Sequence, residues 1–168
     1  MKKTLLMLAA GVAMVLGMSA CGSSKDEPVE PATATYTVTL SQDTFDAGTY
    51  IVRFKDANNT NRFEVMTSTT WTKTVTTSRF PAQLGFKFDA SVKNVTELTK
   101  DNYSLAATGT IAIKRGVNSL NTTPLNFSAE VVKANVERII DKEVDDVVVA
   151  YIVNSEGQAT FNNKMSFE

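Results

Sequence analysis

Histidine is missing from this 168-residue chain, and cysteine occurs once. Without histidine there is no Ser-His-Asp triad, no Cys-His pair and no histidine-bearing zinc site. A single thiol cannot close an internal disulfide. It is also a poor nucleophile here, because a catalytic thiolate needs a histidine or another cation to stabilise it. An excess of charge of either sign is lacking as well: the net charge is −1, and Lys and Arg are scattered along the chain. No basic patch exists to hold a phosphate backbone, which excludes nucleic acid as a partner. The glycine-bearing stretches "GSS" and "GVNSLN" are neither a phosphate loop nor a nucleophile elbow. The composition demands no cofactor. An enzyme built from this chain would have to work through carboxylates, tyrosine or a Ser-Lys pair, and a carboxylate-based hydrolase is the least favoured class of function.

What is present begins at the N-terminus. Lys2 and Lys3 precede an apolar run from Leu5 to Met18, followed by the small residues Ser19 and Ala20. A positive start, an apolar centre and a small-residue end make residues 1–20 a secretory signal peptide. The run is shorter than the ~20 residues a helix needs to span a bilayer core. Cys21 follows directly and opens the polar stretch "GSSKDEPVEPATA", poor in large apolar residues. Residues 21–34 therefore read as a disordered tether, and residues 35–168 as a single β domain.

The "MSAC" ending at Met18–Cys21 resembles the bacterial lipobox, with Met18 standing where leucine is usual. That resemblance implies cleavage before Cys21 and acylation (palmitate included) of its side chain and amine. Each buried CH₂ of an acyl chain contributes about 0.8 kcal/mol, so several chains hold a protein firmly to a bilayer. The acidic stretch "SSKDE", Ser23 to Glu27, resembles the surface-export signal of Bacteroides-type lipoproteins. Over residues 1 to about 30 the chain is thus similar to small outer-membrane lipoproteins of Bacteroides type. The resemblance implies an outer-membrane anchor through Cys21 with the domain exposed at the cell surface. The alternative placement is the periplasmic face. It transfers no functional residue to the domain that follows.

Through that domain, apolar and polar residues alternate with period two. "TYTVTL" places Tyr36, Val38 and Leu40 on one face, and "TYIVRFK" places Tyr50, Val52 and Phe54 opposite Arg53 and Lys55. "RFPAQLGFKFDA" aligns Phe80, Ala82, Leu84, Phe86 and Phe88; "GTIAIKR" aligns Ile111 and Ile113; "LNFSAEVVK" aligns Leu125, Phe127, Ala129 and Val131. Each run predicts a half-buried strand. "DVVVAYIV", residues 146–153, is continuously apolar and predicts a strand covered on both faces. Turn signals "DAG", "DANNTN", "KRGVN" and "NSEGQ" separate the runs, the last predicting a hairpin into "ATFNNKMSFE". Pro81 cannot donate to a ladder, so its strand starts or bulges there, or lies at an edge. "NVERIIDKEVDD", residues 135–146, has partial helical spacing and fits a helix or a short strand. The expected fold is all-β, an immunoglobulin-like two-sheet sandwich; a lipocalin- or calycin-like up-and-down barrel is the alternative.

Few residues are candidates for a site. Trp71, the only tryptophan, shares a face with Lys73 and Val75 on a strand whose other face is threonine. Exposed, it would stack on a sugar ring; buried, it is a core or sheet-edge anchor. Asp141, Glu143, Asp145 and Asp146 form an acidic group able to hold Ca²⁺ if their geometry converges; otherwise they form a solvated connection. Three non-enzymatic roles follow: a surface module binding a glycan or protein ligand, an accessory subunit of an outer-membrane complex whose edge strand pairs with a partner, and a barrel carrying a small apolar ligand.

Overall fold

The computed structural model describes residues 29–168. The signal peptide and Cys21 lie outside the described residues. Among the described residues nine strands form two antiparallel sheets. In chain order they are β1 (Ala32–Leu40), β2 (Gly48–Lys55), β3 (Asn61–Val65), β4 (Thr70–Thr77), β5 (Ala82–Val92), β6 (Asn102–Arg115), β7 (Asn118–Val132), β8 (Val147–Val153) and β9 (Ala159–Phe161). A short helix α1 (Gln42–Asp46) joins β1 to β2, and α2 (Val136–Glu143) joins β7 to β8. One sheet has the order β4-β1-β6-β7 and the other β3-β2-β5-β8-β9. The two pack face to face and do not close into a barrel. The sandwich expectation is met and the barrel alternative is not. The likeness to immunoglobulin domains is one of architecture. Their constant-type order, A-B-E-D over C-F-G, is not the order found here.

Alternation assigns the faces as the sequence implies. Tyr36 and Val38 from β1, Val52 and Phe54 from β2, Leu84, Phe86 and Phe88 from β5, and Leu105 and Ile111 from β6 are buried in one core. Their aromatic rings interlock: Tyr50 stacks on Phe88 with centroids 5.5 Å apart, and Tyr36 meets Phe86 edge-on at 6.1 Å. The outer face of the four-stranded sheet is a threonine ladder. Thr33 pairs with Thr76 and Thr35 with Thr74 through hydroxyl contacts of 3.0 and 3.1 Å. Threonine suits this position because its branched Cβ favours strands while its hydroxyl faces water.

The tether boundary needs correction. β1 begins at Ala32, and Ala32 and Ala34 are fully buried. Their methyl groups continue the Tyr36–Val38 face, but alanine lacks the bulk that announces a strand, so "ATA" reads as linker. The other elements agree with the pattern. β5 starts immediately after Pro81, and "NSEGQ" turns β8 into β9. The ambiguous 135–146 segment is helical, with Val136 and Ile140 buried one turn apart. β8 is covered on both sides: Val149 and Val153 enter the main core, while Ala150 lies under Met165 and Phe167 of the C-terminal tail.

Between the sheets runs one fully buried polar contact, deeper than the part-buried side-chain bonds from Trp71 and Lys73 to Glu64 and from Tyr151 to Thr122. Pairing of β2 with β5 ends at Phe54–Phe86, one residue short of Gly85. The Gly85 N–H instead donates to the Tyr36 hydroxyl at 3.1 Å. Burial pushes the Tyr36 hydroxyl pKa above its ordinary value, so it stays protonated. Gly85 must also lack a side chain, since a Cβ would sit 2.5 Å from the Val149 carbonyl oxygen and 2.6 Å from Ala150 Cα. Tyr36→Phe is therefore expected to cost about 1–3 kcal/mol by leaving a buried N–H unpaired. Gly85→Ala should cost at least as much, because backbone rather than a flexible side chain must yield. Urea unfolding of both variants against wild type measures this; an unchanged midpoint for Tyr36→Phe would remove the contact's importance.

Candidate functional site

Trp71 is buried, 8% exposed. Its ring lies 5.7 Å from Phe54, and its Nε1–H donates to Glu64 Oε2 at 2.8 Å. Lys73 Nζ donates to the other oxygen, Glu64 Oε1, at 2.5 Å. Trp71 is thus an anchor between β3 and β4 and not an exposed sugar platform. The face it shares with Lys73 and Val75 is the inner one, where bulk is rewarded by burial.

The acidic group separates. Asp145 and Asp146 lie near Asp89 of β5, one oxygen of each within 4.8 Å of the others. Asp141 and Glu143 stay on α2, and Glu143 pairs with its neighbour Lys142. The three gathered carboxylates already have partners. Lys87 Nζ lies 3.0 Å from Asp89 and 2.7 Å from Asp146, Arg53 pairs with Asp89, and Asp145 accepts the Ala90 N–H at 2.6 Å. Burial alone would raise the Asp89 pKa, but Arg53 and Lys87 outweigh it and hold the carboxyl below its ordinary range. The arrangement is a network of three carboxylates, two cations and a backbone N–H that staples the α2–β8 turn to the five-stranded sheet.

A polar cleft of about 220 Å³ at the α1 end is lined by Asp43, Asp46, Lys93, Lys100 and Tyr103, among others. Its charges are also engaged. Lys100 pairs with Asp43, and Lys93 Nζ donates to the Asp46 carbonyl at 2.7 Å.

A different feature stands out, one that sequence reading missed. β3, "NRFEV", is short and follows a turn, so its alternation was absorbed into "DANNTN". The turn itself is the signal. Asp56 Oδ1 accepts the N–H groups of Asn58 and Thr60 at 2.8 and 3.0 Å, and Arg62 Nε reaches Asp56 Oδ2 at 2.9 Å. That reverses the chain and starts a hairpin strand. The hydrogen-bond phase follows. Met66 N–H bonds the Tyr50 carbonyl, and Asp56 N–H bonds the Thr60 carbonyl. With the pairing Val52–Glu64 and Phe54–Arg62 between them, antiparallel alternation turns the backbone groups of Glu64 and Arg62 toward β2. Those of Asn61, Phe63 and Val65 point away, to the sheet edge. Among the described residues no backbone partner meets Phe63 or Val65 there. Their side chains lie on the outer face, 66% and 49% exposed.

The other three edges are better guarded. β9 has three residues. β7 carries Pro124, a register shift opposite Gly109–Ile111 and the exposed Glu130. β4 presents threonines. Short length, proline, irregularity and charge are the usual devices against unwanted pairing. β3 is short too, but it bears two exposed apolar side chains beside Arg62, Glu64 and Asn61, whose Nδ2 donates to the Glu168 carbonyl.

Comparison with protein-family models, with curated proteins and with solved structures finds no match for this chain.

Two expectations follow. Trp71→Ala should cost about 3–5 kcal/mol of stability, the range for truncating a buried aromatic, as measured by urea unfolding; a loss under 1 kcal/mol would make Trp71 free for another role. The second concerns pH. Hydrogen bonds from Lys73 hold Glu64, and from Lys100 hold Asp43, below their ordinary range. Asp89 is held low as well. Carboxylates with a folded pKa below the unfolded one contribute stability above about pH 4, lost as pH falls through the folded values. Thermal midpoints should be level from about pH 6 to 8 and drop steeply below about pH 4. A midpoint that rises on acidification would contradict these assignments.

Proposed function

We propose that this protein is a lipid-anchored accessory module of the cell envelope, non-enzymatic, that accepts an extended strand on the free edge of β3. The observation that carries the reading is that edge: outward backbone donors and acceptors at Asn61, Phe63 and Val65, beside exposed Phe63 and Val65. Strand addition obtains affinity from main-chain hydrogen bonds and specificity from alternate side chains, and β3 supplies both. The lipid part rests on Cys21 and the "MSAC" and "SSKDE" resemblances. Surface exposure is part of the proposal, with Cys21 in the outer membrane. Among the described residues no helix is long and apolar enough to cross a membrane. Glycan binding through Trp71 loses its support because that ring is buried, and an apolar carrier loses its support with the barrel.

Two measurements test the proposal. Labelled palmitate should appear on the wild-type protein and vanish in Cys21→Ala. A photo-reactive amino acid at position 63, in growing cells, should yield a defined adduct on illumination. The same group at position 117, an exposed hairpin tip on the other sheet, should yield none. Equal adducts at both positions, or none at 63, would overturn the strand-accepting edge.

A further inference from the structure

The charges of β3 say what strand it accepts, given the strand-accepting edge proposed above. On the inner face Arg62, which also reaches Asp56, and Glu64, which also holds Trp71 and Lys73, flank Phe63 and keep 60% and 40% of their side chains exposed. An incoming antiparallel strand that places an apolar or like-charged residue opposite either one is penalised. The strand that satisfies both reads, from its N-terminus, basic, apolar, acidic. β3 itself reads Arg62-Phe63-Glu64. The geometry points to a second copy of this chain as the occupant, the two β3 strands pairing antiparallel about a two-fold axis through Phe63.

The hydrogen-bond phase permits this pairing. Phe63 presents its N–H and C=O to the edge, so a two-fold through it makes Phe63 and the partner's Phe63 a hydrogen-bonded pair, about 5.5 Å apart at Cα. Asn61 and the partner's Val65 form the next such pair on each side, and the three pairs together make six backbone hydrogen bonds. Arg62 then falls opposite the partner's Glu64 at a non-hydrogen-bonded position, where Cα atoms approach to about 4.5 Å and side chains are closest. Because the interface is isologous, that ion pair occurs twice. On the outer face Phe63 covers the partner's Phe63, and each five-stranded sheet continues into the other.

The contact is small, five residues from each copy, below the roughly 1,200 Å² of a stable interface. In free solution it is weak. On a bilayer both copies are confined to a surface, and the raised effective concentration favours pairing. The position of β3 suits this. Thr77, the register partner of Ala32, donates to the Ala57 carbonyl in the β2–β3 turn at 2.7 Å. β3 therefore begins at the same end of the sandwich as β1, and the two-fold, normal to the sheet, leaves both tethered ends at one level along the axis.

The test uses the mature, full-length lipoprotein in lipid vesicles under mild oxidation. Phe63→Cys should form a disulfide-linked dimer, since its Cα separation suits a disulfide. Asn61→Cys and Val65→Cys alone should not, because each lies about 14 Å from its own copy; the double variant Asn61→Cys with Val65→Cys should. In the Phe63→Cys background, Arg62→Glu or Glu64→Arg should lower the dimer yield by roughly tenfold, and the two together should restore it. Glu64 also serves Trp71 and Lys73, so thermal unfolding checks that each variant folds, and Arg62→Glu decides alone if Glu64→Arg does not. A monomeric Phe63→Cys, equal cross-linking at all three positions, or a double charge swap that fails to recover would each overturn self-pairing. If Phe63→Cys stays monomeric while the photo-reactive group at 63 still marks another protein, self-pairing falls and the strand-accepting edge stands. If neither occurs, both fall.

Discussion

One fully buried hydrogen bond crosses the core of this sandwich, from the Gly85 N–H in the middle of one sheet to the Tyr36 hydroxyl of the other. Two sheets held only by apolar contacts can slide, because burial is proportional to area and indifferent to direction. A donor and acceptor pair fixes the relative position, since a shift leaves a buried polar group unpaired at a cost of about 1–3 kcal/mol. The donor is available only because β2 stops pairing with β5 at Phe86. The surrounding aromatics then have one arrangement to adopt: Phe86 edge-on to Tyr36, and Phe54 between Tyr36 and Trp71.

The placement of Trp71 has a consequence at the edge. Glu64 lies on the inner face of β3, where a carboxylate would pay for desolvation. The Trp71 indole and the Lys73 ammonium both donate to it and hold it ionised. The side of the sandwich where β3 meets β4 is thereby closed by polar side chains across the two sheets. Hydrogen bonds along the edge itself are left open. β3 is thus held firmly from beneath and unpaired at its rim, which is what an incoming strand requires.

How much of this was legible depends on side-chain size. Tyr36, Phe54, Phe86 and Phe88 announced their strands, because large apolar residues at period two have few other meanings. The continuous run of β8 also read correctly as covered on both faces, although the tail that covers it, Met165 and Phe167, could not be foreseen. Ala32 and Ala34 were taken for tether because a methyl group carries too little signal. Trp71 was ambiguous for a physical reason: alternation gives the two faces of a strand but not which one meets the core. The acidic run 141–146 misled because proximity in sequence is not convergence. Asp145 and Asp146 meet Asp89, which lies over fifty residues away, and Asp141 and Glu143 do not join them. β3 was invisible because its five residues carry two charges.

Those two charges carry the last step. An edge strand with Phe63 and Val65 exposed and no charge would accept almost any extended chain, a hazard for aggregation. Arg62 and Glu64 narrow the choice, because a mismatched partner leaves one of them facing an apolar or like-charged group. Neither is deeply buried: the Arg62 side chain is 60% exposed and Glu64 40%. Each pair therefore adds little attraction by itself, on the order of 1 kcal/mol or less. Their effect would lie in the difference between matched and mismatched strands, which doubles when the one Arg62–Glu64 pair occurs twice about a two-fold. In the proposed pairing, affinity at this edge would come from the backbone and Phe63, and selectivity from charges too weak to hold a partner alone.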